Sequence, residues 1–503
     1  MVNGVSSKEA IADSFRDHFE KVAKPNNQQK VDEINNRFAT EYEEQLSKHK
    51  DNCTCHNYSI SMENLLDAVF KLKSGKSEDD DGICAEHFLY APYSVLVRLH
   101  ILFNAMLKHS FVPAQFKLGS IIPTVKDHQG NLGDLDNYRG ITISPILSKV
   151  FEHTLKIVFG EFLTSNPQQF GFKSKSSTSH ALYCLKGTVD YYINNGSRVY
   201  CAFLDASKAF DRLIHSGLYL KLISRGVPLI FLNLIMYWYS DLLCRVKWGD
   251  NFSPWYSVLS GVRQGGILSP DFYCLYIDDL IRRLVSLNVG CYILEMFMAA
   301  LLYADDMALL SPSVKGLRLL LEECSNFCIE WDICLNAKKS KLLYFGKKCT
   351  NLFTPLLNGR PLEWVDSWNY LGAHVVSGRR FGFSMNERIR KFYRCANAIF
   401  RIEGRSDDLT MLRLVESHCV PILTYGIEVC HFSDYRERSK IRAAYNSLFR
   451  RIFDYRYYES VTDLQLSLAC PTWELLIDDL TVGFYRRIST CRADSPVHIF
   501  SVV

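Results

Sequence analysis

With 503 residues the chain is long enough for two or three domains. Its 48% hydrophobic and 22% charged content is that of a globular protein and excludes a fibrous or low-complexity chain. A net charge of +4 does not by itself mark a nucleic-acid binder, and the most apolar long window, 292–310, holds Glu295, Asp305 and Asp306, too many acids for a membrane span.

The 17 cysteines follow no regular spacing, and the first residues lack the apolar core of a leader. Both predict reduced thiols in a cytoplasmic or nuclear protein, neither secreted nor membrane-spanning. Residues 1–60 are polar and helical in pattern, with Phe15, His18, Phe19 and Val22 on one face. They are expected to form an extension that packs on another element or is partly flexible. Within it, Cys53-Thr54-Cys55-His56 hints at a metal knuckle. Its cysteines are one residue apart and no second pair stands at finger spacing, so no zinc site is expected.

A capped amphipathic helix starts at Ser61, with Leu65, Leu66, Val69 and Leu72 on its apolar face. It runs into the acidic stretch Glu78-Asp79-Asp80-Asp81-Gly82, which predicts a solvated loop. A helix-rich segment closes at Pro113. LGSIIPTVK (118–126) then reads as a strand, and YRGITIS (138–144) as a strand and turn before a helix. VYCAFLD (199–205) is a short β run that ends in an acid, and YSVLS (256–260) is another strand, followed by a glycine turn and a long helix from RQGGILSP (263–270). LNAKKSKLLYFG (335–346) and LEWVDSWNYLGAHV (362–375) add further strands. Beyond VSGRR (376–380) the chain turns helical and basic, with roughly 16 Lys and Arg against roughly 9 Asp and Glu between Arg379 and Arg456. The expected division is therefore 1–60 as a helical extension, 61–117 as a helical segment, 118–376 as the central domain and 377–503 as a basic helical segment.

The stretch AALLYADDMALL (299–310) carries the chemistry. Two apolar arms flank Asp305 and Asp306, the pattern of a β-hairpin with acids at its tip. Buried carboxylates without a partner are costly, but a divalent cation reverses that balance. Asp205, at the end of its own apolar strand, is the best candidate for a third acid. Three carboxylates gathered at the ends of adjacent strands suit a two-metal site that activates a 3′ hydroxyl and stabilises a leaving pyrophosphate. Taken alone, Asp305 and Asp306 serve equally well as ordinary turn residues.

The wider constellation resembles the reverse transcriptases. Tyr303-Ala304-Asp305-Asp306 resembles their YxDD box, and Phe203-Leu204-Asp205 through Ala209-Phe210-Asp211 their first palm motif. RQGGILSP resembles the palm turn and helix, IIPTVK and YRGITIS the fingers motifs, and LNAKKSK and YLG the last palm motifs. The motifs occur in family order from about 118 to 375. The RGI form, QFGF at 169–172, KAFD and GVRQGGILSP resemble the non-LTR (LINE-type) retrotransposon polymerases in particular.

The resemblance implies an α+β right-hand polymerase: fingers, a palm with an antiparallel sheet, and the basic segment as a helical thumb that tracks template–primer phosphates. It implies an RNA template, a DNA primer, dNTPs, and Mg²⁺ with Mn²⁺ as the alternative. Asp205 and Asp305 fall at the principal metal-ligand positions, Asp306 at a third carboxylate, and Ala206 at a backbone carbonyl that completes a metal shell. Lys126 and Arg139 fall at the triphosphate grip, Phe210 at the sugar gate that selects deoxynucleotides, and Gln264 and Gly265 at the turn against nucleotide and template base. Lys339 falls near the general acid for pyrophosphate, in competition with Lys338 and Lys341. Read without the resemblance, Phe210 is a core aromatic, and Lys126 and Lys339 are solvated lysines.

The sequence departs from the family in SEDDDGI (77–83), where the usual loop is PGPDGI, and extra acids there would repel phosphate. The chain is expected to be a polymerase segment without the endonuclease domain. The alternative is a catalytically inert nucleic-acid-binding remnant. A group II intron maturase is disfavoured by the KAFD and GVRQGGILSP forms.

Overall fold

The computed structural model describes the chain apart from residues 1, 52–57, 129, 208–209, 348–352, 403–406, 431–434, 493 and 502–503. The Cys53–His56 segment thus lies outside the described residues. The strands that matter below are β1 (Leu118–Val125), β2 (Tyr138–Ile143), β3 (Val199–Ser207), β4 (Leu243–Trp248), β5 (Ala300–Tyr303), β6 (Asp306–Ser311), β7 (Lys341–Phe345), β8 (Ser367–Tyr370) and β9 (Ala373–Val376). The helices are α1 (Lys8–Val22), α2 (Gln28–Asp51), α3 (Ile146–Val158), α4 (Thr178–Asn194) and α5 (Ser269–Ser286). The chain is α+β and divides into two units, 1–166 with 206–283 and 324–335, and 167–205 with 284–323 and 336–503. No described helix is long and apolar enough to cross a membrane.

In the first unit β1 pairs antiparallel with β2 and parallel with β4. The polar N-terminal extension packs here. Ser7 caps α1 by accepting from the Ala10 N–H, and the apolar face read from the sequence buries Phe15 completely. Its ring meets Tyr138 at 4.8 Å and Trp248 at 5.2 Å. α2 runs against the helix His215–Ser224. The end of α1 also shortens an expected strand. The Ala23 carbonyl accepts from Leu259 N and Ser260 N, so only Tyr256–Ser257 of the 256–260 run pairs as a strand.

The acidic stretch leaves Glu78, Asp80, Asp81 and Gly82 exposed, as expected, but Asp79 within it is not solvated. Asp79 is buried and accepts from the backbone N–H of Asp81, Ile83 and Ile146, the last of these the first residue of α3. The cluster therefore caps a helix from 67 residues away. Asp80 accepts from Ser120 Oγ and, at 3.0 Å, from Arg245. Asp79 is thus committed to internal donors, while Asp80 is exposed and its charge is paired with Arg245.

In the second unit β7, β3, β6 and β5 form a sheet in that order, antiparallel at each step. Val199, Cys201 and Phe203 of β3 share one face with Ala308 and Leu310 of β6, and they pack with Ala181, Leu182, Leu185 and Val189 of α4 in one core. A β8–β9 hairpin turns through Leu371 (φ 46°) and Gly372 (φ 72°). Beyond Asn386 the described helices form a bundle around Phe392, Leu423, Ile441, Tyr445 and Trp473, while Phe484, Ile488 and Val497 join the core of the sheet.

Candidate active site

The expected hairpin is present. β5 and β6 pair with Tyr303 opposite Asp306, so Ala304 and Asp305 form a two-residue loop. Ala304 adopts φ 56°, the positive value that a tight hairpin turn requires at its first position. On the other side β6 pairs with β3, and Asp306 lies directly opposite Asp205. Alternation places both on the face that carries Cys201, Phe203, Ala308 and Leu310. The two acids are thus the end of the core-facing row, where that face opens into a cleft of about 160 Å³. Phe203, Lys339, Trp368 and Tyr370 line the same cleft.

The backbone of Asp205 is stitched to the loop that carries the candidate lysines. Its carbonyl accepts from Asn336 N at 2.9 Å, and its N–H donates to Ser340 Oγ at 3.3 Å. The Asn336 side chain in turn accepts from Lys338 N and Lys339 N. Of the three competing lysines, Lys339 lines the cleft, Lys338 is exposed, and Lys341 pairs with Glu363 at 2.6 Å. Burial, and then the charge of Asp306, push the Tyr370 phenol well above its ordinary range. Tyr370 therefore stays neutral beside the acids.

These groups suit a hard divalent cation. A like-charged pair directly opposite across two strands is destabilising without a counter-charge. Among the described residues no three His, Cys, Asp or Glu side chains converge to hold an ion by themselves. Two facing carboxylates that leave room for water and phosphate oxygens match the habit of Mg²⁺, which rarely takes a cage made of protein alone.

The remaining candidates lie in the first unit. Ala206, the residue after Asp205 in β3, is buried and pairs with Leu335. Arg139 on β2 is exposed and faces Thr124 of β1. Lys126, two residues on, follows on the same face, exposed, with its ammonium donating to the Asp136 carbonyl at 2.7 Å. Phe210 is half-buried and stacks on Tyr273 at 4.8 Å. The Gln264 carbonyl accepts from Thr142 N at 2.8 Å. Gly265 sits at φ 131°, where a Cβ would lie 2.6 Å from the Thr142 carbonyl oxygen. Glycine is required there by both conformation and space.

Several supporting residues escaped the sequence reading. Asp211, the last residue of KAFD, accepts from Gln264 Nε2 at 2.8 Å. Glu152 of α3 is buried and accepts from Ile267 N at 2.6 Å and Leu268 N at 2.9 Å, fixing the far side of the glycine turn. Burial outweighs those bonds and nearby Arg263, and raises its pKa. The available signal was a lone acid inside the apolar pattern of FEHTL. Gln169, within QFGF, stands under the Ala304 turn.

Comparison with known proteins places the chain. The reverse transcriptase (RNA-dependent DNA polymerase) family profile matches residues 125–375. The chain is similar to the probable RNA-directed DNA polymerase from transposon BS of Drosophila melanogaster, 26% identical over 85% of this chain and 48% of that protein. It is similar to the RNA-directed DNA polymerase from mobile element jockey of Drosophila funebris, 24% identical over 86% of this chain and 48% of that protein. A third relative, the probable RNA-directed DNA polymerase from transposon X-element of Drosophila melanogaster, is 26% identical over 81% of this chain and 45% of its own length. The chain spans about half the length of these curated relatives. Among solved structures it is similar to apo telomerase from Candida tropicalis, 12% identical with a TM-score of 0.40 over 81% of this chain and 74% of that one. The chain belongs to the reverse transcriptase (RNA-dependent DNA polymerase) family.

Proposed function

We propose that the chain is an RNA-directed DNA polymerase that adds dNTPs to a DNA primer 3′ hydroxyl on an RNA template by two-metal nucleotidyl transfer. The observation that carries this reading is the facing of Asp205 and Asp306 at the open end of a buried strand face, with Asp305 in the adjoining turn. Asp205, Asp305, Asp306 and the Ala206 carbonyl are the groups proposed to hold the divalent ions, Mg²⁺ or Mn²⁺. When bound, these ions supply charge neutralisation for the attacking and leaving oxygens.

This chain's residues do the rest. In the reaction the primer 3′ hydroxyl gives up its proton to solvent, its oxygen bonds to the α-phosphorus and the bond to pyrophosphate breaks. Lys339 is proposed to give the leaving pyrophosphate its proton. Arg139 presents a planar fork and Lys126 a compact charge, both exposed on one strand-pair face, which suits a triphosphate. Phe210 is proposed as the sugar gate, since its stack on Tyr273 fixes the ring against a 2′ hydroxyl. Gln264 and Gly265 present a rigid backbone to nucleotide and template base. Residues 118–376 are proposed as fingers and palm, and 377–503 as a thumb whose Arg and Lys track phosphates.

The test is primer extension on an RNA template. Incorporation of dNTPs and exclusion of ribonucleotides, with the exclusion relaxed by Phe210→Ala, is the expected result. Folded protein that binds RNA but incorporates nothing overturns the reading in favour of an inert remnant.

A further inference from the structure

We propose that Gln169 is a positioning residue for the catalytic turn, its side-chain carbonyl holding Ala304, and through it Asp305, in place. The proposal deepens the polymerase reading and rests on it for the catalytic readout, though not for the conformational one.

Ala304 occupies the left-handed region, which residues with a Cβ avoid. An alanine there needs its conformation imposed from outside. The means lie directly beneath it. The segment 168–170 runs parallel to β5, with Phe170 N donating to the Leu302 carbonyl at 2.7 Å and Leu302 N to the Gln168 carbonyl at 2.9 Å. Gln169 is 1% exposed. Its Oε1 accepts from Ala304 N and from Gly171 N, each at 2.9 Å. A Cβ at Gly171 would lie 2.5 Å from Ala304 N, so the two backbones meet with no room for a side chain between them.

Two donors on one oxygen fix the orientation of the amide, because a flipped Gln169 would aim its NH₂ at both N–H groups. The cost of this orientation is visible. Gln169 Nε2 is buried and has no hydrogen-bond partner among the described residues. A buried donor left unmet is destabilising, so a residue placed for packing alone would be apolar. A residue placed for its acceptor alone would be Glu, which binds two N–H groups more strongly. Glutamine supplies the acceptor without adding negative charge beneath Asp305 and Asp306. The bland reading is that Gln169 satisfies two core N–H groups and does nothing for the turn.

A double-mutant cycle separates the two readings. Gln169→Met keeps the volume and removes the acceptor, and Ala304→Gly removes the need to hold a left-handed alanine. Three quantities are measured for each variant of the full chain: kcat and KM for dNTPs in primer extension, and the urea unfolding midpoint without metal. In the wild-type background Gln169→Met is expected to lower kcat about ten-fold with KM within about two-fold. In the Ala304→Gly background the same change is expected to cost less than about three-fold, and the metal-free midpoints should show the same rescue. Equal losses in the two backgrounds overturn the proposal, as does a Gln169→Met protein with wild-type kcat. If Gln169→Met does not fold alone, the double variant is expected to fold, and its failure to do so also overturns the proposal. Should the wild type extend no primer, the polymerase reading fails, while the metal-free cycle still decides whether Gln169 holds Ala304.

Discussion

Asp306 lies directly across the antiparallel β3–β6 ladder from Asp205, on the same face of the sheet. Asp306→Asn removes one of the two facing carboxylates, and it is expected to diminish the stabilisation that added Mg²⁺ gives the wild type, since a ligand that binds only the folded state raises its stability. Urea unfolding of both proteins, with and without Mg²⁺, checks this. An equal gain of stability from Mg²⁺ in the two proteins would contradict it.

Gly265 has a more local role. Gly265→Ala forces a Cβ to 2.6 Å from the Thr142 carbonyl and into a backbone region that L side chains rarely adopt. The expected cost is about 1–3 kcal/mol of stability. A shifted Gln264 should lower kcat/KM for dNTPs by at least about ten-fold. Steady-state kinetics with varied dNTP reads the second effect, and unchanged kinetics would remove the turn from the nucleotide site.

Asp79 answers the concern raised by the acidic loop. Asp79→Ala leaves the N–H groups of Asp81, Ile83 and Ile146 without their acceptor. Stability is expected to fall by about 2–3 kcal/mol. Asp81→Asn, at an exposed position, should change it by less than about 0.5 kcal/mol. Equal effects from the two changes would return Asp79 to the solvated status of its neighbours.

Acid sensitivity has an identifiable source in α4. His180 Nδ1 accepts from Ser177 N at 3.0 Å, so the neutral ring must serve as the acceptor. Its ring stacks on Phe484, and Cys491 Sγ is 3.9 Å from Nε2. Burial first, and then the Arg487 charge, push the His180 pKa down from 6.5 to about 4. Between those values the unfolded chain binds more protons than the native state. The stability contribution is therefore full above pH 6.5 and is lost as pH falls toward 4. His180→Gln keeps an acceptor at the third helical position without titrating. It should show a shallower decline over that window in unfolding curves taken from pH 7 to pH 4. The decline should not vanish, because His153 is also depressed to about 4 by burial. An unchanged slope would remove His180 from the acid response.

The hairpin was legible because two short apolar arms split by acids have few other solutions, and a primed turn at Ala304 closes them. The partner of β6 was legible only as a guess that Asp205 should be near, since strand pairing is set by tertiary packing and not by either strand. Asp79 was misread for a related reason. A run of acids looks solvated until its donors are known, and one of them, Ile146 N, is 67 residues away. Gln169 and Glu152 accept from backbone N–H groups that the sequence does not display, and the one trace was the lone acid of Glu152 in an apolar pattern. Leu371, in the left-handed turn of β8–β9, was likewise invisible, because leucine is not a residue that announces such a turn.

The central claim is that the acids at the tip of the β5–β6 hairpin carry out nucleotidyl transfer. Primer extension on an RNA template with dNTPs, in the presence and absence of Mg²⁺, beside an Asp305→Ala variant that folds and binds RNA as the wild type does, tests it most directly. The account predicts extension by the wild type with Mg²⁺ and loss of at least about a thousand-fold in the variant, since more than 4 kcal/mol of transition-state stabilisation would be removed. Extension that persists in Asp305→Ala, or none by folded wild type that retains RNA binding, would contradict it.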